Sequence, residues 1–255
     1  MKKLFIPILL AAASLCCKGQ SVGDGVIRTI CINGGDFGKP FVRKVIALTK
    51  KTNPRICFLP TAGADNPYGI NWWYELCQDL PMNAYVQRVF LNSSPDQKTF
   101  EENLMSMDAI VVGGGSTLNM MGIWKAQGID TVLRKAYRKG IVMAGGSAGS
   151  LCWFTAGLSD SRPKQLSIVE CLGFIQASHC PHYHSNPARK PLYQEAVLNR
   201  SLAAGYACDD FAGILFENEK YVESFAIDAN NHTYYISAAD GKIKEELLPV
   251  TEILK

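Results

Sequence analysis

The chain has 255 residues, 47% of them hydrophobic and 19% charged, which suits a globular protein with a sizeable core and excludes a disordered or fibrous one. Its formal charge of +3 belongs to the first twenty residues: Lys2, Lys3 and Lys18 lie there without any acid, and beyond them 23 basic residues meet 23 acidic ones. No basic stripe interleaved with aromatics occurs, so the composition gives no reason to expect nucleic acid as a partner.

In chain order, Lys2-Lys3 precede an apolar run from Leu4 to Cys17 that is short for a membrane span and fits a signal peptide over residues 1–20. The expectation is an exported protein, periplasmic or lipid-anchored at the cell envelope. Cys16-Cys17 could carry a lipid, whereas Ala11-x-Ala13 offers a small-residue cut, so both fates stay open. Membrane contact is expected only through such an anchor. Residues 21–255 then read as one domain. Strands are expected at Val26–Ile32, Arg55–Leu59, Tyr85–Leu91, Ala109–Val112 and Ile141–Ala144. Helical patterns lie near Pro40–Lys50, Ile70–Asp79, Pro95–Met105 and Leu118–Arg138, the last breaking at Gly128 and the third capped by Ser94-Pro95. Strands alternating with helices predict an α/β fold of three layers, a mostly parallel sheet flanked by helices. The stretch from Ala204 to Lys255 reads as shorter strands and turns.

Ligands of open α/β sheets bind at the carboxyl ends of strands. Those ends read Asn33-Gly34-Gly35-Asp36, Pro60-Thr61-Ala62-Gly63, Gly113-Gly114-Gly115-Ser116 and Gly145-Gly146-Ser147-Ala148-Gly149. A phosphate cradle is disfavoured because neither G-x-x-x-x-G-K-[ST] nor an opening G-x-G-x-x-G is present. Gly145-x-Ser147-x-Gly149 has the spacing of a nucleophile elbow, although the motif alone fits a tightly packed glycine loop equally well. A serine nucleophile needs a base and a group that orients the base. Three of the four histidines cluster in Ser178-His179-Cys180-Pro181-His182-Tyr183-His184, while His232 sits in a polar turn. The cluster lacks a carboxylate, which ranks a metal site below catalysis. The seven cysteines beyond the leader are odd in number and form no C-x-x-C pair, which gives no disulfide framework or zinc site.

Taken together, "INGGDFG" (32–38), "FLPTAG" (58–63), "VVGGGSTLNMM" (111–121), "GGSAGSLCWF" (145–154), "GLSDS" (157–161), "CPHYHSNPAR" (180–189) and "GYACDD" (205–210) form an ordered set. In them the chain resembles serine peptidases of the peptidase E (aspartyl dipeptidase) type over roughly residues 28–227, with cyanophycinase a more distant relative. The resemblance implies a class I glutamine amidotransferase-like, flavodoxin-like fold and no cofactor. It implies Ser147 as nucleophile, His182 as base and Asp160 as the acid that orients it. The backbone amides of Gly115 and Ala148 match the oxyanion hole. Arg189 matches the position that holds an N-terminal aspartate, and a guanidinium fork suits a carboxylate; its alternative is a helix-start surface arginine. His184 departs from some relatives and is a second candidate for substrate contact. Asp209-Asp210 matches an acidic pair without an assigned role. The expected activity is hydrolysis of short peptides at an N-terminal, aspartyl residue. The alternatives are cleavage of a β-aspartyl-arginine polymer, or ligand binding without catalysis.

Overall fold

The computed structural model describes residues 25–255; the leader expected at 1–20 lies outside them. Alternating apolar residues on short β-prone runs build the central sheet. The strands are β1 (Thr29–Asn33), β2 (Arg55–Leu59), β3 (Asn83–Val86), β4 (Ala109–Val112) and β5 (Val142–Gly146), and they pair in parallel in the order β1-β5-β4-β2-β3. The period of two divides each strand between two cores. Ile30, Ile32, Ile110 and Val112 enter one core, and Cys31, Val111 and Ala109 enter the other.

Helices α1 (Lys39–Leu48) and α2 (Pro67–Cys77) cover the second face, burying Phe41, Val42, Val45 and Trp73. After α3 (Phe100–Leu104), helices α4 (Thr117–Gln127) and α5 (Ile129–Arg138) cover the first. Gly128, at φ 71°, separates these two where the sequence places a break. Helix α5 buries Ile129, Val132, Leu133, Ala136 and Tyr137, one apolar stripe at helical spacing.

Two expected elements are shorter than the sequence suggests. The strand read as Tyr85–Leu91 ends at Val86 because the Val89 and Phe90 amides turn away to donate to the buried Asp65 carboxylate. The helix read from Pro95 starts only at Phe100. There a reciprocal capping box forms, with the Glu102 amide donating to Thr99 and the Thr99 amide donating to Glu102.

The remainder of the chain adds more sheet than its sequence pattern suggests. After the one-turn α6 (Ala148–Leu151) come β6 (Phe154–Ser159), β7 (Ser167–Glu170), β8 (Ile175–Cys180), α7 (Arg189–Leu198) and β9 (Gly205–Cys208). They are followed by β10 (Ala212–Glu217), β11 (Lys220–Ala226), β12 (Thr233–Ala239), β13 (Lys242–Leu248) and β14 (Val250–Ile253). Strands β10, β11 and β14 extend the central sheet beyond β1 to eight strands. The other six form a second sheet in the order β13-β12-β9-β8-β6-β7. The first core, with Trp153, Phe154 and Ile175, is shared between the two sheets. None of the described helices is long and apolar enough to cross a membrane.

Candidate active site

Strand β5 runs into Ser147, whose backbone stands at φ 55° and ψ −119°, and α6 begins at the next residue. Such a conformation costs on the order of 1–3 kcal/mol for a residue with a Cβ. It is held by the Ser147 carbonyl, which accepts the Ser150 and Leu151 amides at 3.0 Å each, and by the Ser147 amide, which donates to Asn33 O at 3.3 Å. The surrounding glycines serve close approach: a Cβ on Gly149 would lie 2.0 Å from Val112 O, and one on Gly145 would lie 2.4 Å from Gly149 O. The elbow is thereby seated against the end of β4, with its hydroxyl at the rim.

His182 follows β8 by two residues, also at positive φ (56°), and its amide donates to Gly34 O. The Ser147 hydroxyl donates to Nε2 at 2.8 Å, and Nδ1–H donates to Asp210 Oδ1 at 2.5 Å. That carboxylate oxygen also accepts from Ser185 Oγ at 2.9 Å. The acid beside the histidine is therefore Asp210, on the loop after β9, and not Asp160. Asp160, at the end of β6, turns its carboxylate to Arg189 Nη2 at 3.1 Å, and its side chain is 67% exposed. The Asp210 loop is fixed from the first strand. The Asn33 side-chain amide donates to Asp210 O at 2.8 Å, and the Gly35 amide donates to it at 3.0 Å. Gly34 leaves no room for a side chain, since a Cβ there would lie 2.1 Å from Asp209 O. The sequence shows Asp209-Asp210 after an apolar run, but nothing local to that pair marks the histidine as its partner.

The three clustered histidines have different partners. His184 donates from Nδ1 to Asp209 Oδ1 at 2.8 Å, and Lys190 Nζ reaches its Nε2 at 3.5 Å. His179 is fully buried and stacks on Phe154 at 4.6 Å. Its Nδ1–H donates to Tyr206 O at 3.0 Å, and its Nε2 lies 3.0 Å from the Ser150 hydroxyl. Burial lowers its pKa to about 3, so the ring is neutral wherever the protein functions near neutral pH. Arg189 starts α7 with its side chain only 3% exposed, donating to Leu158 O at 3.1 Å as well as to Asp160. This is a buried structural arginine, neither the surface residue nor the substrate clamp that the sequence suggests.

A cleft of about 470 Å³ opens at Ser147 and is lined by Asp36, Phe37, Phe58, Trp72 and the glycine run 113–115. Neither Arg189 nor His184 lines it. Gly115 has φ 132°, and a Cβ there would lie 2.3 Å from Ala62 O, so only glycine presents this backbone to the cleft. Ala148 opens α6, where a first-turn amide has no intrahelical acceptor.

The family model of peptidase family S51 matches residues 33–223, a stretch that takes in Ser147, His182 and Asp210. The chain belongs to peptidase family S51. It is 38% identical over 228 residues to an uncharacterized peptidase, YgaJ, of Bacillus subtilis (strain 168), covering 88% of this chain and 97% of that one. Among solved structures, a peptidase from an acI-B1 Actinobacterium has the same fold with a TM-score of 0.70. It is 16% identical, covering 89% of this chain and 96% of the other. A candidate peptidase E protein from Listeria monocytogenes EGD-e superposes with a TM-score of 0.61 at 15% identity, over 80% of this chain and all of the other. The S51 chain described here is accordingly a peptidase of that fold.

Proposed function

We propose that this S51 peptidase is a serine hydrolase of short peptides that releases an N-terminal residue, with Ser147 as nucleophile, His182 as base and Asp210 as the acid that orients it. The observation that carries the reading is the single imidazole bonded to the Ser147 hydroxyl on one side and to the Asp210 carboxylate on the other. With Nδ1–H committed to Asp210, Nε2 is left bare to take the serine proton as Oγ attacks the scissile carbonyl. The carbonyl oxygen, now an oxyanion, turns toward the Gly115 and Ala148 amides. His182 returns the proton to the departing amine, and water then clears the acyl-enzyme by the same steps in reverse order.

The volume of the cleft supports a small substrate, since about 470 Å³ is the size of a small-ligand site. The aspartyl preference loses its support, because Arg189 is buried and, among the described residues, no lysine or arginine lines the cleft. Turnover of a dipeptide library by the parent and two variants tests the proposal. Ser147→Ala and His182→Gln should each abolish hydrolysis while Tm stays within a few degrees, and combining them should add little because the two act as a unit. Near-full turnover by folded Ser147→Ala would overturn the proposal.

A further inference from the structure

The loop after β1 delivers an acid to the cleft that the reaction itself does not use. The Asp36 backbone carbonyl accepts from the Asn33 side chain at 3.0 Å. Next to it, Phe37 is buried and packs on Phe41 and Trp72 with ring centroids 5.2 and 5.5 Å apart. The backbone that carries Asp36 is thus fixed on both sides. Its carboxylate is exposed to the cleft, and among the described residues no hydrogen bond or ion pair engages it. Its distance to the nucleophile is bounded by one point: a Cβ placed on Gly114 would lie 3.5 Å from Asp36 Oδ1 and 3.6 Å from Ser147 Oγ. The carboxylate and the nucleophile are therefore both within contact range of one point in the cleft. Among the described residues no other acidic or basic side chain lines the cleft.

An unneutralised carboxylate here opposes the chemistry, because negative charge develops on the substrate oxygen in the transition state. A cation brought in by the substrate removes that penalty. Two kinds of cation occur in peptides. The ammonium of lysine sits at the end of a four-carbon stem, and arginine reaches comparably far. An α-ammonium instead sits one carbon from the carbonyl that Ser147 attacks, which matches a carboxylate this close to the hydroxyl. The rings of Phe37, Phe58 and Trp72 then receive the first side chain, and rings favour apolar groups.

We propose that Asp36 is a specificity-determining residue that binds the protonated α-amino group of the substrate, selecting peptides with a free amino terminus and an apolar first residue. This rests on Ser147 being the nucleophile.

The test compares leucyl, aspartyl, N-acetyl-leucyl and N-acetyl-lysyl p-nitroanilides on the parent, Asp36→Asn and Asp36→Glu, with Tm measured for each. For the parent, kcat/KM should favour the leucyl over the N-acetyl-leucyl compound and over the aspartyl compound. Asp36→Asn should shrink the first ratio about ten- to a hundred-fold, the range of one charge-assisted hydrogen bond, and Asp36→Glu should restore part of it. The activity of the parent on the leucyl compound should also fall above about pH 8, where an α-ammonium loses its proton. A folded Asp36→Asn that keeps the free-to-acetylated ratio overturns the proposal. So does a parent that prefers the N-acetyl-lysyl compound and loses it on Asp36→Asn, which would assign the carboxylate to a side-chain cation. Covalent labelling of Ser147 in the parent separates the two layers: failure to label strikes the serine mechanism itself, whereas labelling with an unchanged ratio strikes Asp36 alone.

Discussion

Asp160 and Arg189 hold each other rather than the histidine and a substrate, and the burial of the arginine makes its loss the costlier of the two. Asp160→Asn changes an exposed carboxylate and should keep peptide turnover within a few-fold of the parent. Arg189→Ala removes the donor to the Leu158 carbonyl and should cost about 1–3 kcal/mol of stability. Its ratio of activity on acidic to neutral peptides should not move. Thermal unfolding and a dipeptide series check both, and a specific loss on aspartyl peptides would return Arg189 to the cleft. Ser147 was legible as a serine with glycines at fixed offsets, a pattern that fits a packed loop equally well, and His182 was legible only through the family resemblance. The acid was not, because an aspartate carries no local mark of its partner. Asp160 and Asp210 both follow strand-like runs, and only the pairing of β8 with β9 and the grip of Asn33 bring Asp210 to the imidazole.

At the scale of elements, β8 carries a histidine that supports the elbow from behind. His179 contacts Ser150, whose hydroxyl also lies 2.7 Å from the Ser147 carbonyl, and this joins the second sheet to the first turn of α6. The ring has a folded pKa of about 3 against an ordinary value of 6.5. As pH falls below 6.5 the unfolded chain takes up a proton that the folded ring refuses, so stability declines until about pH 3. A single such group contributes a slope of at most about 1.4 kcal/mol per pH unit. His179→Gln keeps a donor and an acceptor without titrating, and between pH 6 and 4 its urea-derived stability should fall less steeply than that of the parent. Identical slopes would contradict the assignment. The parallel strands β2 and β4 were legible to the residue because their apolar runs are buried on both faces. Strands β6 to β8 were hidden, since polar and titratable residues such as Ser178 and His179 interrupt β8 and are satisfied only by tertiary partners.

Over the whole molecule, the candidate site lies across two sheets. Ser147 and the glycine run come from β5 and β4 of the eight-stranded sheet, and His182 and Asp210 come from β8 and β9 of the six-stranded one. The layered α/β class was legible in alternating strand and helix patterns. The second sheet, and with it the acid, depended on pairings between distant segments that no local pattern announces. The rate at which a fluorophosphonate labels Ser147, read by mass spectrometry in the parent, Asp160→Asn and Asp210→Asn, tests this assembly most directly. The expected result is one adduct per chain on Ser147 in the parent, a similar rate in Asp160→Asn, and a rate lower by about three to four orders of magnitude in Asp210→Asn. Peptide hydrolysis by the parent without an adduct on Ser147, or an Asp160→Asn loss equal to that of Asp210→Asn, would contradict it.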